Sequence, residues 1–238
     1  IIFLANYKNI IDVMVKNKII NINIGCGSRV TKGYINFDNS FSVRLKIFPL
    51  FFIRFLYLLK IIAQQHYDYI KFLKENNVKY CDARIKIPFE DGMIDNIYCS
   101  HTFEHLRYDD GDKFLHECIR VLKKGGGIRL IVPNLRLHIE DYITQKDADD
   151  FFIKLGIFHD SHIKFNKFKS FIRNIISDGV GHKHMYDEES IKKKLINNGF
   201  KSPIIVQSGQ TILKNLGELD LNERNDDKSK SLYVEAYK

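Results

Sequence analysis

The 238-residue sequence contains no tryptophan, only four prolines and only four cysteines. So few prolines leave no room for a Pro-rich linker. With 45% hydrophobic and 28% charged residues, the chain has the make-up of a folded globular protein rather than a disordered one. Cys26, Cys81, Cys99 and Cys118 stand far apart with no C-x-x-C pair, which argues against a disulfide framework and against a cysteine zinc site. No charged n-region leads into an apolar stretch and a cleavage site, so the expected location is the cytoplasm; the sequence opens on Ile1 rather than Met, and that expectation concerns only the residues given. No apolar run reaches the ~18 residues of a transmembrane helix. Internal repeats are also missing.

What the sequence does have is a formal charge of +8, with 37 Lys and Arg against 29 Asp and Glu. A clustered basic patch would attract nucleic acid or anionic lipid, whereas scattered lysines only keep a domain soluble. Lys192-Lys193-Lys194 is the one run of three, on a predicted helix that needs a polar face, and no arginine-rich or aromatic-interleaved stripe points to RNA. The chain is long enough for a single α/β domain over residues 1–238 with insertions, and a second domain is not expected.

Strand-like and helix-like patterns alternate, the signature of a parallel sheet wrapped by helices. Residues 5–16 suit a leading helix. Strands are predicted at Ile19–Ile24, Tyr34–Phe37, 78–81, 96–99, Ile128–Val132, near 204–207 and at Ser231–Tyr237, the last as an antiparallel strand at the sheet edge. Between Asp112 and Lys123, Phe114, Cys118 and Leu122 recur at four-residue spacing with Leu115 and Ile119 beside them, which makes one apolar helix face. Gly125-Gly126-Gly127 is expected to stop that helix, with Lys123-Lys124 in its last turn. A second helix is expected at 187–198, stopped by Gly199, and a polar loop precedes the last strand. Pro88-Phe89-Glu90-Asp91-Gly92 is a turn signal.

Two stretches interrupt the alternation. Residues 41–62, rich in Phe, Leu and Ile but broken by Arg44, Lys46, Arg54 and Lys60, are read within a helical cover near 41–76, with peripheral membrane contact as the alternative. Residues 135–185 are read as an irregular insertion on the acceptor side.

Chemistry begins at Gly25-Cys26-Gly27, where a β-branched run ends at glycines that allow a tight turn and a close backbone approach to a ligand. A dinucleotide fingerprint would want a third glycine where Val30 stands and an acid about 20 residues on. Here the acid, Asp38, comes earlier. Asn23-Ile24-Gly25-Cys26-Gly27 followed by Gly33-Tyr34-Ile35-Asn36-Phe37-Asp38 resembles the first two motifs of class I S-adenosylmethionine-dependent methyltransferases. Pro88 to Gly92, Ser100-His101-Thr102-Phe103-Glu104-His105-Leu106 and Arg120 to Gly126 are similar to the same family in the same order.

That resemblance implies a Rossmann-like methyltransferase fold: a mostly parallel seven-stranded sheet with an antiparallel C-terminal edge strand and helices on both faces. It implies S-adenosyl-L-methionine as cofactor, with Gly25 and Gly27 under its methionine part, Asp38 on the ribose, Asp82 and Ala83 at the adenine, and Ser100 also on the cofactor side. Two residues depart from the family pattern. Asn23 stands where many members carry an acid, and it can still hydrogen-bond loop amides; Lys124 stands where proline is common. The ending from Glu223-Arg224 through Ser231 to Ala236 is similar to a bacterial subgroup serving surface-polysaccharide (capsule) pathways. The implied reaction is O-methylation of a small molecule or glycan precursor, at a sugar, phosphate or phosphoramidate group.

If the acceptor must lose a proton, a histidine that titrates near neutrality can take it. His101, beside Glu104, and His184, in Gly181-His182-Lys183-His184-Met185-Tyr186, are the candidates, while His105 is read as orienting a turn. His182 and His184 lie two apart with no third ligand at a recognised spacing, so no metal is expected. RNA or protein methylation and cofactor binding without turnover stand as alternatives.

Overall fold

The computed structural model describes residues 19–156, 181–217, 219 and 230–238. The helix expected at 5–16, the Glu223-Arg224 motif and residues 157–180 of the expected insertion lie outside them. Seven strands form one sheet in the order β3-β2-β1-β4-β5-β7-β6: β1 Asn21–Ile24, β2 Ile35–Asp38, β3 Lys79–Tyr80, β4 Ile94–Ser100, β5 Leu122–Pro133, β6 Lys201–Val206 and β7 Ser231–Tyr237. The first five run parallel, β1 pairing with both β2 and β4. As the resemblance implied, β7 is antiparallel, but it lies one place in from the edge, between β5 and the outer β6.

The two faces of the sheet differ. On one, Ile22, Ile24, Ile97, Leu130 and Val234 join Phe114, Leu115 and Cys118 of helix α4 (Tyr108–Val121) in the main apolar core. The alternate residues place buried polar groups on the other face, as the period of two requires. Asn96 Nδ2 donates to Asn21 Oδ1 (3.1 Å) and to the Lys214 carbonyl (2.8 Å), and Asn21 Nδ2 donates to the Asn215 carbonyl (2.8 Å). Arg129 of β5 and Glu235 of β7 form a buried ion pair, and Arg129 also donates to the Gln210 carbonyl. The stretch expected as a polar loop thus seals this face over residues 210–217, with Leu213 and Leu216 turned inward. Polar side chains this deep are tolerated because each makes at least one such bond.

Between β2 and β3 lie α1 (Phe41–Leu45), α2 (Leu50–Leu58) and α3 (Gln64–Glu75). Ile53, Ile62 and Ile70 form their own small core, and Val43 and Leu73 pack with Cys26 of the glycine turn. Phe51, Phe55 and Leu58 remain exposed. No helix among the described residues is long and apolar enough to cross a membrane.

Two expectations need correction. Residues 135–154 are not irregular: they form α5 (Leu135–Gln145) and α6 (Ala148–Lys154), started by Asn134 and Asp147, whose side chains accept from backbone amides in the first turn. The triple glycine does not cap a helix either. Helix α4 ends at Val121 and the chain enters β5 at once, carrying Lys123, Lys124 and all three glycines in the strand, where the register against β4 shifts between Ile94 and Asn96. A Cβ on Gly126 would sit 2.6 Å from the Asp95 carbonyl oxygen, and one on Gly127 2.3 Å from Leu213 Cδ2. Gly126 is held to glycine by a neighbouring backbone and Gly127 by the Leu213 side chain, while Gly125 has a left-handed φ of +79°. The lysine run is also not a plain polar face, since Lys194 of α7 (Glu188–Asn197) is buried and bonds Asp112 (2.7 Å) and the Tyr108 carbonyl (2.8 Å).

Gly126→Ala should lower unfolding stability by about 1–3 kcal/mol through overpacking against a backbone atom, read from denaturant unfolding. An unchanged midpoint would restore the capping account.

Candidate functional site

The candidate residues collect at the C-terminal ends of β1 to β4, because parallel strands all deliver their chain ends to the same edge. Gly25 and Gly27 follow β1 with φ of +72° and +52°, in the left-handed region open to glycine. The Gly25 and Cys26 amides both donate to the Phe37 carbonyl (2.9 and 3.0 Å), tying the turn to β2. Asp38, buried at the end of β2, accepts from the Gly27 amide (3.0 Å) through Oδ2 and from the Ser40 amide (2.8 Å) through Oδ1. The structure therefore brings Gly27 and Asp38 into direct contact.

The two glycines face different surroundings. A Cβ on Gly25 would lie 2.1 Å from Thr102 Oγ1, whereas one on Gly27 would meet nothing within 4 Å. Thr102, which no sequence motif singled out by itself, donates from Oγ1 to the Gly25 carbonyl (3.2 Å) and so joins the end of β4 to the turn. Asn23 supports the loop from below, although it acts as a donor rather than as a partner for loop amides: Nδ2 reaches the Arg29 carbonyl (3.3 Å), Thr31 Oγ1 (3.1 Å) and Asn36 Oδ1 (3.1 Å).

Asp82 and Ala83, both buried, follow β3. Arg84 grips the Asp82 carboxylate, Nε to Oδ1 at 2.9 Å and Nη2 to Oδ2 at 2.7 Å, and these hydrogen bonds hold its carboxyl below the usual range. A carboxylate offers about four acceptor directions, so the fork leaves room for a further donor. Ser100 is buried at the end of β4.

His101 comes next, with φ +49°, a left-handed backbone uncommon for residues other than glycine. Its amide donates to the Ile131 carbonyl (2.8 Å), its Nε2 lies 3.1 Å from Ser231 Oγ, and its Nδ1 lies 3.4 Å from Glu104 Oε1. Glu104, on the short turn Phe103–His105, is fully buried, and its carbonyl accepts the Lys183 (2.8 Å) and His184 (3.1 Å) amides. The 181–186 segment is thereby fastened beside the end of β4. His101 and His184 meet opposite ends of Glu104, one at the carboxylate and the other at the carbonyl. The His184 ring packs edge-on against Tyr108 and Tyr186, at centroid distances of 5.3 and 4.6 Å. Burial lowers the affinity of the His182 and His184 imidazoles for a proton; Glu104 opposes this at His182 and Lys194 reinforces it at His184.

A ribose diol calls for a carboxylate and a methionine tail for a close backbone. Asp38 beside the open space at Gly27 matches that pair of needs, so these residues fit such a group. The family described as "Methyltransferase domain" matches residues 60–130. No curated protein matches the chain. Similar solved structures include S-adenosylmethionine-dependent methyltransferases from Thermotoga maritima, Methanosarcina mazei and Archaeoglobus fulgidus. The first is 15% identical, covering 99% of this chain and 89% of that one, with a TM-score of 0.45. The second is 13% identical, covering 96% of both chains, with a TM-score of 0.49, and the third 17% identical, covering 100% and 93%, with a TM-score of 0.45. Residues 60–130 match a methyltransferase domain, and the activity this supports is that of an S-adenosylmethionine-dependent methyltransferase. The cofactor of that class is S-adenosylmethionine.

Gly25→Ala should cost about 2–4 kcal/mol, combining a left-handed alanine with the clash against Thr102. Gly27→Ala should cost only the left-handed backbone, about 1–2 kcal/mol. Equal losses in chemical denaturation would show that Thr102 does not press on the turn.

Proposed function

We propose that this chain O-methylates a small molecule or glycan precursor, at a sugar hydroxyl, a phosphate or a phosphoramidate group destined for a surface polysaccharide. The observation that carries the reading is the juxtaposition, at one sheet edge, of the Gly27–Asp38 cradle with His101 and the 181–186 segment, joined through Thr102. Asp38 would accept from the ribose hydroxyls, Gly25 and Gly27 would line the methionine part, and Asp82, Ala83 and Ser100 would border the rest. When bound, S-adenosylmethionine supplies an electrophilic methyl group, which leaves the protein to position the acceptor and receive its proton.

His101 takes that role in this reading, its ring braced between Ser231 and Glu104. His184, turned toward Tyr108 and Tyr186, acts as a positioning residue that holds the acceptor-side segment. Exposed Phe51 and Phe55 flanking Arg54 support peripheral contact of the 41–62 stretch with an anionic membrane surface.

Asp38→Ala should weaken S-adenosylmethionine binding by about 1–3 kcal/mol in calorimetry; wild-type affinity would remove Asp38 from the ribose site. On a panel of sugar, phosphate and phosphoramidate acceptors with methyl-labelled cofactor, His101→Ala should lower kcat by about 10²–10⁴ with cofactor affinity retained. His184→Ala should raise KM for the acceptor more than it lowers kcat. Label appearing in RNA or protein instead would overturn the small-acceptor reading, and binding with no methyl product on any acceptor would leave a cofactor-binding protein without turnover.

A further inference from the structure

We propose that Glu104, His105 and His182 form a binding site for one divalent transition-metal ion, with zinc the best match, independently of which acceptor is methylated. One ligand atom from each of the three residues lies within 4.8 Å of the other two. His105 Nε2 and His182 Nε2 are each 3.9 Å from Glu104 Oε1. Around a tetrahedral zinc with bonds of about 2.0–2.1 Å, ligand atoms sit about 3.4 Å apart, so side-chain shifts of roughly 1 Å or less would close the set. Two imidazoles and one carboxylate are a donor set that favours zinc over magnesium or calcium, which prefer all-oxygen surroundings.

Two further observations point to a ligand. Glu104 is 0% exposed, yet neither carboxylate oxygen receives a hydrogen bond. No Lys or Arg among the described residues pairs with it. A buried carboxylate left in this way is costly unless positive charge reaches it. His105 is already oriented to bring such a charge in, because its Nδ1 lies 3.1 Å from the Gly181 carbonyl. A carbonyl can only accept, so Nδ1 carries the proton and Nε2, on the Glu104 side, keeps its lone pair. This is the outer contact that commonly fixes a metal-binding histidine.

The ligands come from distant parts of the chain, the turn after β4 and the segment before α7. An ion would therefore clamp the 181–186 segment to the end of β4, adding to the two amide bonds already made to the Glu104 carbonyl. His105 is 44% exposed at its side chain, which gives an entry path and leaves a fourth position toward solvent. His101 Nδ1 also approaches Glu104 Oε1, at 3.4 Å, with Nε2 near Ser231 Oγ, but the mutually close ligand atoms are those of Glu104, His105 and His182.

The test uses the full chain, stripped with chelator and dialysed, titrated with Zn²⁺ in a calorimeter and with Co²⁺ under visible absorption. One equivalent should bind, with cobalt showing the strong absorption of a tetrahedral site. Saturating Zn²⁺ at about a hundred times its Kd should raise Tm by about 5–10 °C. Affinity should fall more than about tenfold in His105→Ala and in the isosteric Glu104→Gln, and stay unchanged in His116→Ala, an exposed histidine away from the cluster. Because His105 is at the surface, His105→Ala decides the matter should Glu104→Gln fail to fold. No saturable binding, binding that survives in His105→Ala, or an equal loss in His116→Ala would overturn the proposal.

Discussion

The pairing of β1 with parallel neighbours on both sides is the constraint on which the rest depends. After β1 the chain builds outward through β2 and β3, then returns across the sheet to place β4 on the other flank of β1. Connections leaving β1 and β4 must diverge, and a crevice opens at their C-terminal ends, where open α/β sheets bind ligands. Gly25 to Gly27 line one side and Ser100 to Glu104 the other. The Thr102 to Gly25 bond spans the narrow point, so position 25 needs glycine for packing as well as for its left-handed backbone, whereas position 27 needs it for the left-handed backbone alone.

A second constraint is the polar inner face of the sheet. Asn21, Asn23, Asn36, Asn96, Arg129 and Glu235 are all buried, an arrangement that would be costly without partners. Residues 210–217 supply backbone carbonyls to several of them, while Asn23 and Asn36 brace the glycine loop from beneath. The same layer that closes the fold thus holds the site in shape.

Local patterns carried much of this. Apolar periods of two and of four located β1, β2, β4, β7, α4 and α7 to within a few residues, and the early acid Asp38 accepts a hydrogen bond from the glycine turn. Misreadings fell where a local signal has two meanings. Gly125-Gly126-Gly127 has the composition of a helix stop, but Gly126 faces an Asp95 carbonyl from a neighbouring strand and Gly127 the Leu213 side chain, both outside any local window. Residues 210–217 read as a polar loop because a carbonyl bound to Asn96 looks in sequence like any other. Arg129 and Glu235, 106 residues apart, gave no sign of being partners.

The sequence by itself determined the alternating α/β order, the glycine turn with its acid, and the set of histidines worth weighing, since these depend on backbone preferences and short spacings. Only the tertiary structure decided how those histidines divide. Folding brings the 181–186 segment against the end of β4, turns the His184 ring to Tyr108 and Tyr186, and leaves His101, His105 and His182 around one buried carboxylate. Side chains so distant in the chain meet only after the sheet has set where each loop begins and ends.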